Sequence, residues 1–389
     1  MCALNKDISF NVENKTITAG ELSITEPVEW HIYDTKGRLL LKKGMQLRSK
    51  RQIAKIISLK AFYRVGEKDD EVDEQVVSSA LSPFDQIEKV LSYLDRLFKI
   101  AIYKPPNPER KLPEKFHELS KGIIQLCEYD LDATIGTIHF GSKYDYTVIH
   151  PLHCAILSYC LAIKLGITDE RLNTIICAAL TANIGMFELQ NKLMKQAGPL
   201  RSDQRAEVDK HTMRGVVLLK HIGVMDSLWL EIVMQHHEKR DGTGYPRKLK
   251  GSDFIQEARI LAIADRYHAM VAPRDYRVGM SPTEALKMIF QERGNEVDEV
   301  LGSILIKEVG IYPPGAIVEL ANKEIAIVTR RGEDRMRPTV KSIYTAENKP
   351  YSEPVEHECT DEKFKILGLC AAPKNYKHDL YKLWDYDLK

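Results

Sequence analysis

Residues 236–246 read HHEKRDGTGYP, and this stretch indicates both the site and the fold of the chain. Two adjacent histidines followed by a carboxylate supply metal ligands. The glycines and the proline predict a tight turn beside them. A histidine pair on its own is more often an ordinary feature of a surface or a core. Followed directly by this turn, the pair is the strongest candidate for a chemical site in the sequence.

The full string resembles the signature of the HD-GYP family, a branch of the HD metal-dependent phosphohydrolases. Members of this family hydrolyse the bacterial second messenger cyclic-di-GMP. The resemblance covers roughly residues 83 to 310 and implies a bundle of helices whose side chains converge on divalent metal ions. Helical periodicity over the same region, broken at 104–108 and 198–199, independently favours an all-α domain.

Composition changes on either side of this helical region. Residues 1–75 predict a small α+β module with strands over 17–24, 28–33 and 38–41 and a helix over 49–59. Residues 67–74, at the end of this module, are acidic. Residues 76–115 are expected to form a linker and a leading helix. Residues 116–310 correspond to the HD-GYP domain. Strand-like runs over 316–320 and 324–329 predict a β-rich extension over 311–389. The predicted fold class is therefore mainly α, with two small flanking modules.

The charge and cysteine content restrict the class of protein. A chain of 389 residues is long enough for two or three units, and its 56 basic and 55 acidic residues give a net charge of +1. This balance does not indicate a nucleic acid or membrane partner. The seven cysteines contain no C-x-x-C pair, and the longest apolar run, 154–167, is interrupted by Lys164. We expect a cytoplasmic protein without disulfides or membrane spans.

The resemblance implies a set of metal ligands that can be checked position by position. Matching residues occur in four separate helical segments, and they are His150, His211, His236, His237 and Asp265. Taken alone, His150 on its apolar helix could equally be a core histidine. His153 lies three residues later but matches no ligand position.

The segment AALTANIGM departs from the family pattern, which would read AALLHDIGK. Ala182 replaces the ligand histidine, Asn183 replaces the aspartate that bridges two metals, and Met186 replaces the lysine. Alanine has no lone pair, and asparagine is a weaker bridging ligand than a carboxylate. A further family aspartate is His268 here. No catalytic group is therefore expected to be intact.

The residues that would bind a nucleotide, according to the resemblance, are better preserved than the metal ligands. Gly242, Gly244 and Pro246 shape a loop that presents Tyr245, whose ring can stack on a base. By the resemblance, two arginines contact phosphates, a role that suits their forked donors. These residues are Arg274 and Arg277. Without the resemblance, such a pair is more often a solvated surface feature.

The ligand count leads to a functional hypothesis with two rivals. Four imidazoles and one carboxylate carry too little negative charge to hold several dications together. We expect at most one iron, manganese or zinc ion per chain, at His211, His236 and His237, or no metal. The main hypothesis is a degenerate phosphodiesterase that binds cyclic-di-GMP or docks a protein through the GYP loop. The rivals are an active enzyme that releases the linear dinucleotide or GMP, and a purely structural domain.

Overall fold

A computed structural model describes residues 13–35, 39–41, 43–47, 49–65, 82–140, 144–273, 279–371, 373, 376 and 379–386. The chain divides into two compact units. One comprises Met1–Ser82 with Asp379–Lys389, and the other comprises Pro83–His378. This division differs from the predicted boundaries, since the predicted extension 311–389 is shared between the two units.

The N-terminal part of the first unit contains a small antiparallel sheet with strand order β1-β4-β2-β3 and a nine-residue helix. The elements are β1 (Glu13–Thr16), β2 (Ile32–Tyr33), β3 (Leu39–Leu41), α1 (Lys50–Ser58) and β4 (Phe62–Val65). The predicted helix over 49–59 is confirmed. Its first turn is capped by the Ser49 hydroxyl, which accepts a hydrogen bond from the Gln52 amide at 3.2 Å.

The strand predictions for this unit were only partly right. The predicted strand over 17–24 is wrong, because Ala19–Glu21 forms a 3₁₀ turn. The Glu21 carboxylate accepts hydrogen bonds from the amide and hydroxyl of Thr18 at 2.9 and 2.8 Å. This local bonding competes with strand pairing. Of 28–33 only β2 is a strand, β4 was not predicted, and the acidic stretch 67–74 lies outside the described residues.

The second unit is built mainly of helices, as predicted. The helices are α2 (Pro83–Tyr103), α3 (Leu112–Tyr129), α4 (Leu131–Gly136), α5 (Tyr146–Lys164), α6 (Asp169–Thr181), α7 (Phe187–Met194), α8 (Ser202–Asp209), α9 (His211–His221), α10 (Ser227–Gln235), α11 (Gln256–Val271), α12 (Pro282–Glu292) and α13 (Glu299–Val309). The predicted breaks at 104–108 and 198–199 both fall between helices.

Helix α5 lies at the centre of this bundle and packs against α6 and α11. Its side chains are apolar on nearly every face, which is typical of a helix surrounded by others. Two helical stretches, Tyr146–Lys164 and Asp169–Met194, are long and apolar enough to cross a membrane. However, in the apolar 18-residue segment of each stretch, 83% and 72% of the residues are buried within the protein, so their hydropathy is explained by packing in the core.

A five-stranded antiparallel sheet follows the helices, with strand order β8-β7-β6-β5-β9. Its strands are β5 (Ile317–Leu320), β6 (Ile325–Arg330), β7 (Thr339–Tyr344), β8 (Pro350–Glu358) and β9 (Ile366–Leu369). The predicted strands over 316–320 and 324–329 are confirmed as β5 and β6. A short helix, α14 (Leu380–Leu383), belongs to the first unit.

Buried ion pairs attach this sheet to the helices. The Arg330 guanidinium donates to both carboxylate oxygens of Asp130, at 2.7 and 2.9 Å. Arg331 pairs with Asp132 and donates to the carbonyl oxygen of Glu308 at 2.9 Å. Bidentate arginine–carboxylate pairs fix orientation as well as distance. These contacts explain why the sheet and the bundle form one compact unit.

Candidate metal centre

Three of the predicted ligands lie close together, where α9 begins and α10 ends. They are His211, His236 and His237. Helix α9 begins at His211, and the histidine pair follows α10 directly. The Nε2 atoms of His211 and His236 are 3.3 Å apart, and donor atoms of all three side chains lie within 4.8 Å of one another. Two nitrogens bound to one tetrahedral zinc ion at ~2.0–2.1 Å lie roughly 3.3 Å apart. The spacing therefore fits a shared ion.

The outer hydrogen bonds of these rings leave their Nε2 lone pairs unused. His211 Nδ1 donates to the carbonyl oxygen of Val208 at 2.5 Å, and His236 Nδ1 donates to that of Val233 at 2.8 Å. Because a carbonyl only accepts, each neutral ring carries its hydrogen on Nδ1. Burial lowers the pKa of His211 to about 3 and also lowers the pKa values of His236 and His237. Neutral lone pairs that face each other suit a divalent cation.

The GYP loop packs directly on this group. The Tyr245 ring stacks on His237 with centroids 4.9 Å apart, and the Tyr245 amide donates to the His237 carbonyl at 3.1 Å. The Tyr245–Pro246 peptide bond is cis. A Cβ atom on Gly244 would overlap the backbone of Glu238 and Lys239, so the loop requires glycine there. The loop thus holds Tyr245 against a candidate ligand.

Glu238 holds the loop closed from inside. Its side chain is 3% exposed, and its two oxygens accept hydrogen bonds from the amides of Arg247 and Leu249 at 2.6 and 3.0 Å. From the sequence, this carboxylate was expected to stand beside the histidines as a possible metal ligand. Its position shows that the carboxylate after the histidine pair supports the loop.

Replacing this carboxylate is expected to loosen the loop. Glu238→Ala leaves two amides without their acceptor, at a cost of about 1–3 kcal/mol for each one that stays buried. Hydrogen exchange should accelerate at Arg247 and Leu249, and the free energy of unfolding in urea should fall. Glu207→Ala, which removes exposed ion pairs with Arg214 and Lys210, is the control and should lower the free energy of unfolding much less. Unchanged exchange at both amides in Glu238→Ala would contradict this role.

The other two predicted ligands, His150 and Asp265, contact each other. His150 Nε2 donates to Asp265 Oδ1 at 2.8 Å, from α5 to α11. Burial acts to raise the pKa of Asp265, but the hydrogen bond from His150 and the neighbouring His237 and His236 together lower it below its usual range. Asp265 is therefore an ionised carboxylate. On the far side of His150, the His268 ring lies with its Nδ1 atom 2.7 Å from His150 Nδ1.

The departures from the family pattern lie beside these ligands. Ala182 is 2% exposed at the end of α6 and contributes no donor. Asn183 Nδ2 donates to Asp265 Oδ1 at 3.4 Å, and its Oδ1 is buried with no hydrogen-bond partner among the described residues. A Cβ atom on Gly185 would overlap the carbonyl oxygen of His211. The close backbone approach is therefore preserved although the ligand side chains have changed.

A cavity of about 700 Å³ opens onto both groups of candidate ligands. His150, Asp265 and Asn183 line one part of it, and His237 and Tyr245 line another. Met186, at the family's lysine position, also faces this space. Helix α7 and the loop before α8 form much of the remaining cavity wall, with Leu193, Met194, Pro199 and Leu200.

Two basic residues that the sequence did not single out line the cavity. Arg205 lines the cavity, and its guanidinium lies 5.7 Å from the centre of the Tyr245 ring. Lys239 lines it as well. Arg205 stands in no recognisable motif, whereas Lys239 is the fourth residue of the 236–246 stretch but was given no role from the sequence. The predicted phosphate contacts Arg274 and Arg277 lie outside the described residues.

Comparison with known proteins finds a family match and several relatives for this region. Residues 145–301 match the family described as HD domain. Over 259 residues the chain is 27% identical to cyclic di-GMP phosphodiesterase PA4108 of Pseudomonas aeruginosa, covering 65% of this chain and 62% of that protein. It is 33% identical over 164 residues to a probable cyclic di-GMP phosphodiesterase of Vibrio cholerae, covering 38% and 37% of the two chains. The chain thus spans less than two thirds of the length of these relatives.

A solved structure is also similar. It is Bd1817, an HDG"Y"P protein from Bdellovibrio bacteriovorus, with 18% identity, a TM-score of 0.49, and coverage of 76% of this chain and 99% of that one. The HD domain match begins one residue before α5 and ends within α13, so it includes each helix that contributes a side chain to the site described above. The HD domain match and the similarity to cyclic di-GMP phosphodiesterases support the HD-GYP branch of this family for residues 145–301.

Proposed function

We propose that this chain acts in bacterial cyclic-di-GMP signalling as an HD-GYP protein that has lost metal-assisted hydrolysis but keeps a partial metal site and a ligand cavity. The observation that carries this proposal is the pair Ala182 and Asn183, which stands where the family has its metal-binding histidine and aspartate. Alanine cannot bind a metal, and the neutral Asn183 amide lies against Asp265 at 3.4 Å. The site has a single ionised carboxylate where several cations would need more.

The retained metal site is the three-histidine group. We propose one iron, manganese or zinc ion at His211, His236 and His237. When bound, such an ion polarises a phosphoryl oxygen. The carbonyl partners of His211 and His236 keep the ligand nitrogens pointed at one position. His150 and Asp265 bond to each other and are separate from this group.

A cyclic dinucleotide is the proposed ligand of the cavity. Its volume of about 700 Å³ is within the range of small-molecule sites. Tyr245 offers a ring for stacking, and Arg205 and Lys239 offer positive charge for phosphates. The relatives include cyclic di-GMP phosphodiesterases and a 3'3'-cGAMP-specific phosphodiesterase of Vibrio cholerae. Arg274 and Arg277 remain predicted contacts. A cytoplasmic location is part of the proposal.

An active phosphodiesterase is the second candidate. The observation that favours it is the buried Oδ1 atom of Asn183, a residue that lines the cavity, since this atom has no hydrogen-bond partner among the described residues. An amide oxygen is a weak ligand for a second cation. Assaying the metal-loaded protein for release of the linear dinucleotide or GMP separates the two candidates. Binding without release supports the first, and rapid metal-dependent release supports the second.

Cyclic-di-GMP binding should depend on Arg205. Calorimetry of the metal-loaded protein should show binding, and Arg205→Ala should weaken it by about tenfold, because a charge-assisted hydrogen bond contributes ~1.5–3 kcal/mol. We expect the lower end of this energy range because Arg205 also forms an ion pair with Asp209 at 2.9 Å.

Arg214→Ala is the matched control for Arg205→Ala. Arg214 pairs with Glu207 at the surface and does not line the cavity. Its replacement should leave the affinity unchanged. Equal affinity in both variants, or no heat from the unmodified protein at high ligand concentration, would argue against the cavity as a dinucleotide site. The GYP loop would then remain as a docking surface for a protein.

A further inference from the structure

A second group of donor atoms lies between α5 and α11, and it includes residues that the family pattern does not assign. Cys154 is one helical turn after His150, and its Sγ atom lies 3.7 Å from His150 Nδ1. His268 Nδ1 lies 2.7 Å from the same His150 nitrogen. The donor atoms of all three residues lie within 4.8 Å of one another. Two imidazoles and one thiol at such distances are a ligand set that zinc prefers.

Each imidazole of this group is held in place through its other nitrogen. His150 Nε2 donates to Asp265 Oδ1 at 2.8 Å. His268 Nε2 lies 2.8 Å from His153 Nδ1. Metal-binding histidines usually have this kind of outer partner, a carboxylate or another acceptor, which orients the ring. His153, which matched no ligand position, thereby has a role in orienting His268.

We propose that His150, Cys154 and His268 form a site for zinc or a similar borderline-soft divalent ion, distinct from the three-histidine group. The ligand atoms are the two Nδ1 nitrogens and the Cys154 sulfur. The Tyr146 hydroxyl, 3.0 Å from His150 Nδ1, offers an oxygen for the fourth position. This site does not depend on nucleotide binding or on the three-histidine metal.

The charges of the surrounding residues suit a dication. Asp265 is ionised, and among the described residues the His150 imidazole, but no lysine or arginine, lies within ion-pairing distance of its carboxylate. Together with the Cys154 thiolate it supplies two negative charges, which balance one dication in a place where His150, Cys154 and His268 are 1%, 2% and 2% exposed. Buried charge requires such compensation. His150 and Asp265 line the cavity, which gives an ion access.

Metal binding has a defined proton balance. The Cys154 thiol loses one proton to solvent through the cavity, and the thiolate becomes a ligand. In the metal-free protein the hydrogen between the two Nδ1 atoms is on His268, because His150 carries its own on Nε2. On metal binding, His268 and His153 each exchange a hydrogen on Nδ1 for one on Nε2, with no net gain or loss of protons. His268 Nε2 then donates to His153 Nδ1, and both Nδ1 lone pairs at the metal are available. The two Nδ1 atoms then separate from 2.7 Å to roughly 3.3 Å, the spacing of ligands around tetrahedral zinc.

With this second site, the expected metal content rises above one ion per chain. The expectation of at most one ion counted only residues that match the family motif. Cys154 and His268 lie outside that count, since the family usually has an aspartate at the position of His268. One further ion per chain follows, bound by a softer ligand set than the three-histidine group.

Cobalt substitution tests the site in the full-length protein. After removal of metals and loading with Co²⁺, the unmodified protein should show a thiolate-to-cobalt charge-transfer band in the near ultraviolet. Cys154→Ser should abolish the band and lower bound cobalt by one ion per chain. Cys160→Ser is the matched control, because Cys160 is equally buried on the same helix, at 3% exposure. It should keep both the band and the ion.

Further variants separate this site from the three-histidine group. His211→Ala should leave the band intact while removing a different ion, so the two proposals fail independently. If Cys154→Ser does not fold, as judged by circular dichroism, His268→Gln tests the same site. In a titration followed by the charge-transfer band, this variant should bind cobalt at least tenfold more weakly. No band in the unmodified protein, or a band unchanged in Cys154→Ser, would show that these residues form only a hydrogen-bonded chain.

Discussion

The unmodified protein is expected to hydrolyse cyclic-di-GMP at least roughly a hundredfold more slowly than a variant that carries Ala182→His, Asn183→Asp and Met186→Lys together. Several kcal/mol of transition-state stabilisation depend on metal activation, and each ~1.4 kcal/mol is tenfold in rate. The measurement is release of the linear dinucleotide or GMP from both proteins after loading with manganese or iron.

The structure supports recovery by these changes because the backbone of the site is intact. Gly185 still allows the turn after α6 to approach His211 closely. An aspartate in place of Asn183 would stand next to Asp265, where the present amide is 3.4 Å from the carboxylate. Two adjacent carboxylates repel each other unless a cation lies between them. A chelator should therefore lower the Tm of the triple variant more than that of the unmodified protein.

The control for turnover is Met186→Lys alone, which adds the charge but no ligand and should stay inactive. His268→Asp is a fourth change to add if the triple variant binds metal without turnover. Robust metal-dependent hydrolysis by the unmodified protein would overturn the proposed loss of activity. It would indicate that Asn183, or ligands outside the motif, hold a second catalytic ion.

The parts of the fold with long-range periodicity were predictable from the sequence. Helices α5 and α11 have apolar faces that repeat over several turns, so their burial follows from pattern alone. The strands of the first unit have two to four residues, too few for alternation to identify them. Thr18 and Glu21 illustrate the failure, since their side-chain bonds stabilise a turn within a predicted strand.

The candidate site could be predicted only as far as the motif extends. His211, His236 and His237 matched the family, and the structure brings them together. Contacts between segments that are distant in the sequence are not marked by any local sequence motif. The bond between His153 and His268 joins positions 115 residues apart, and Arg205 reaches Tyr245 from a separate helix. Such contacts depend on how helices pack, which a pattern of residue types does not specify.

Loss of the three-histidine ion is the second large effect expected. His236→Ala should remove one bound ion per chain, because His211 and His237 alone leave a two-ligand site that binds weakly. Elemental analysis after dialysis against a chelator-free buffer gives the ion count. Since an ion that binds only the folded protein stabilises it, the rise in Tm on adding manganese or zinc should also become smaller in this variant.

His221→Ala is the control for this loss, because His221 is exposed at the end of α9, ten residues after His211. It should keep the full metal content and the full rise in Tm. The cobalt band assigned to Cys154 should persist in His236→Ala, which shows that the domain is folded and that the lost ion came from the other group. If His236→Ala kept the metal content of the unmodified protein, the three histidines would not bind a metal. In the unmodified protein, water or a shared proton would then lie between the facing lone pairs of His211 and His236.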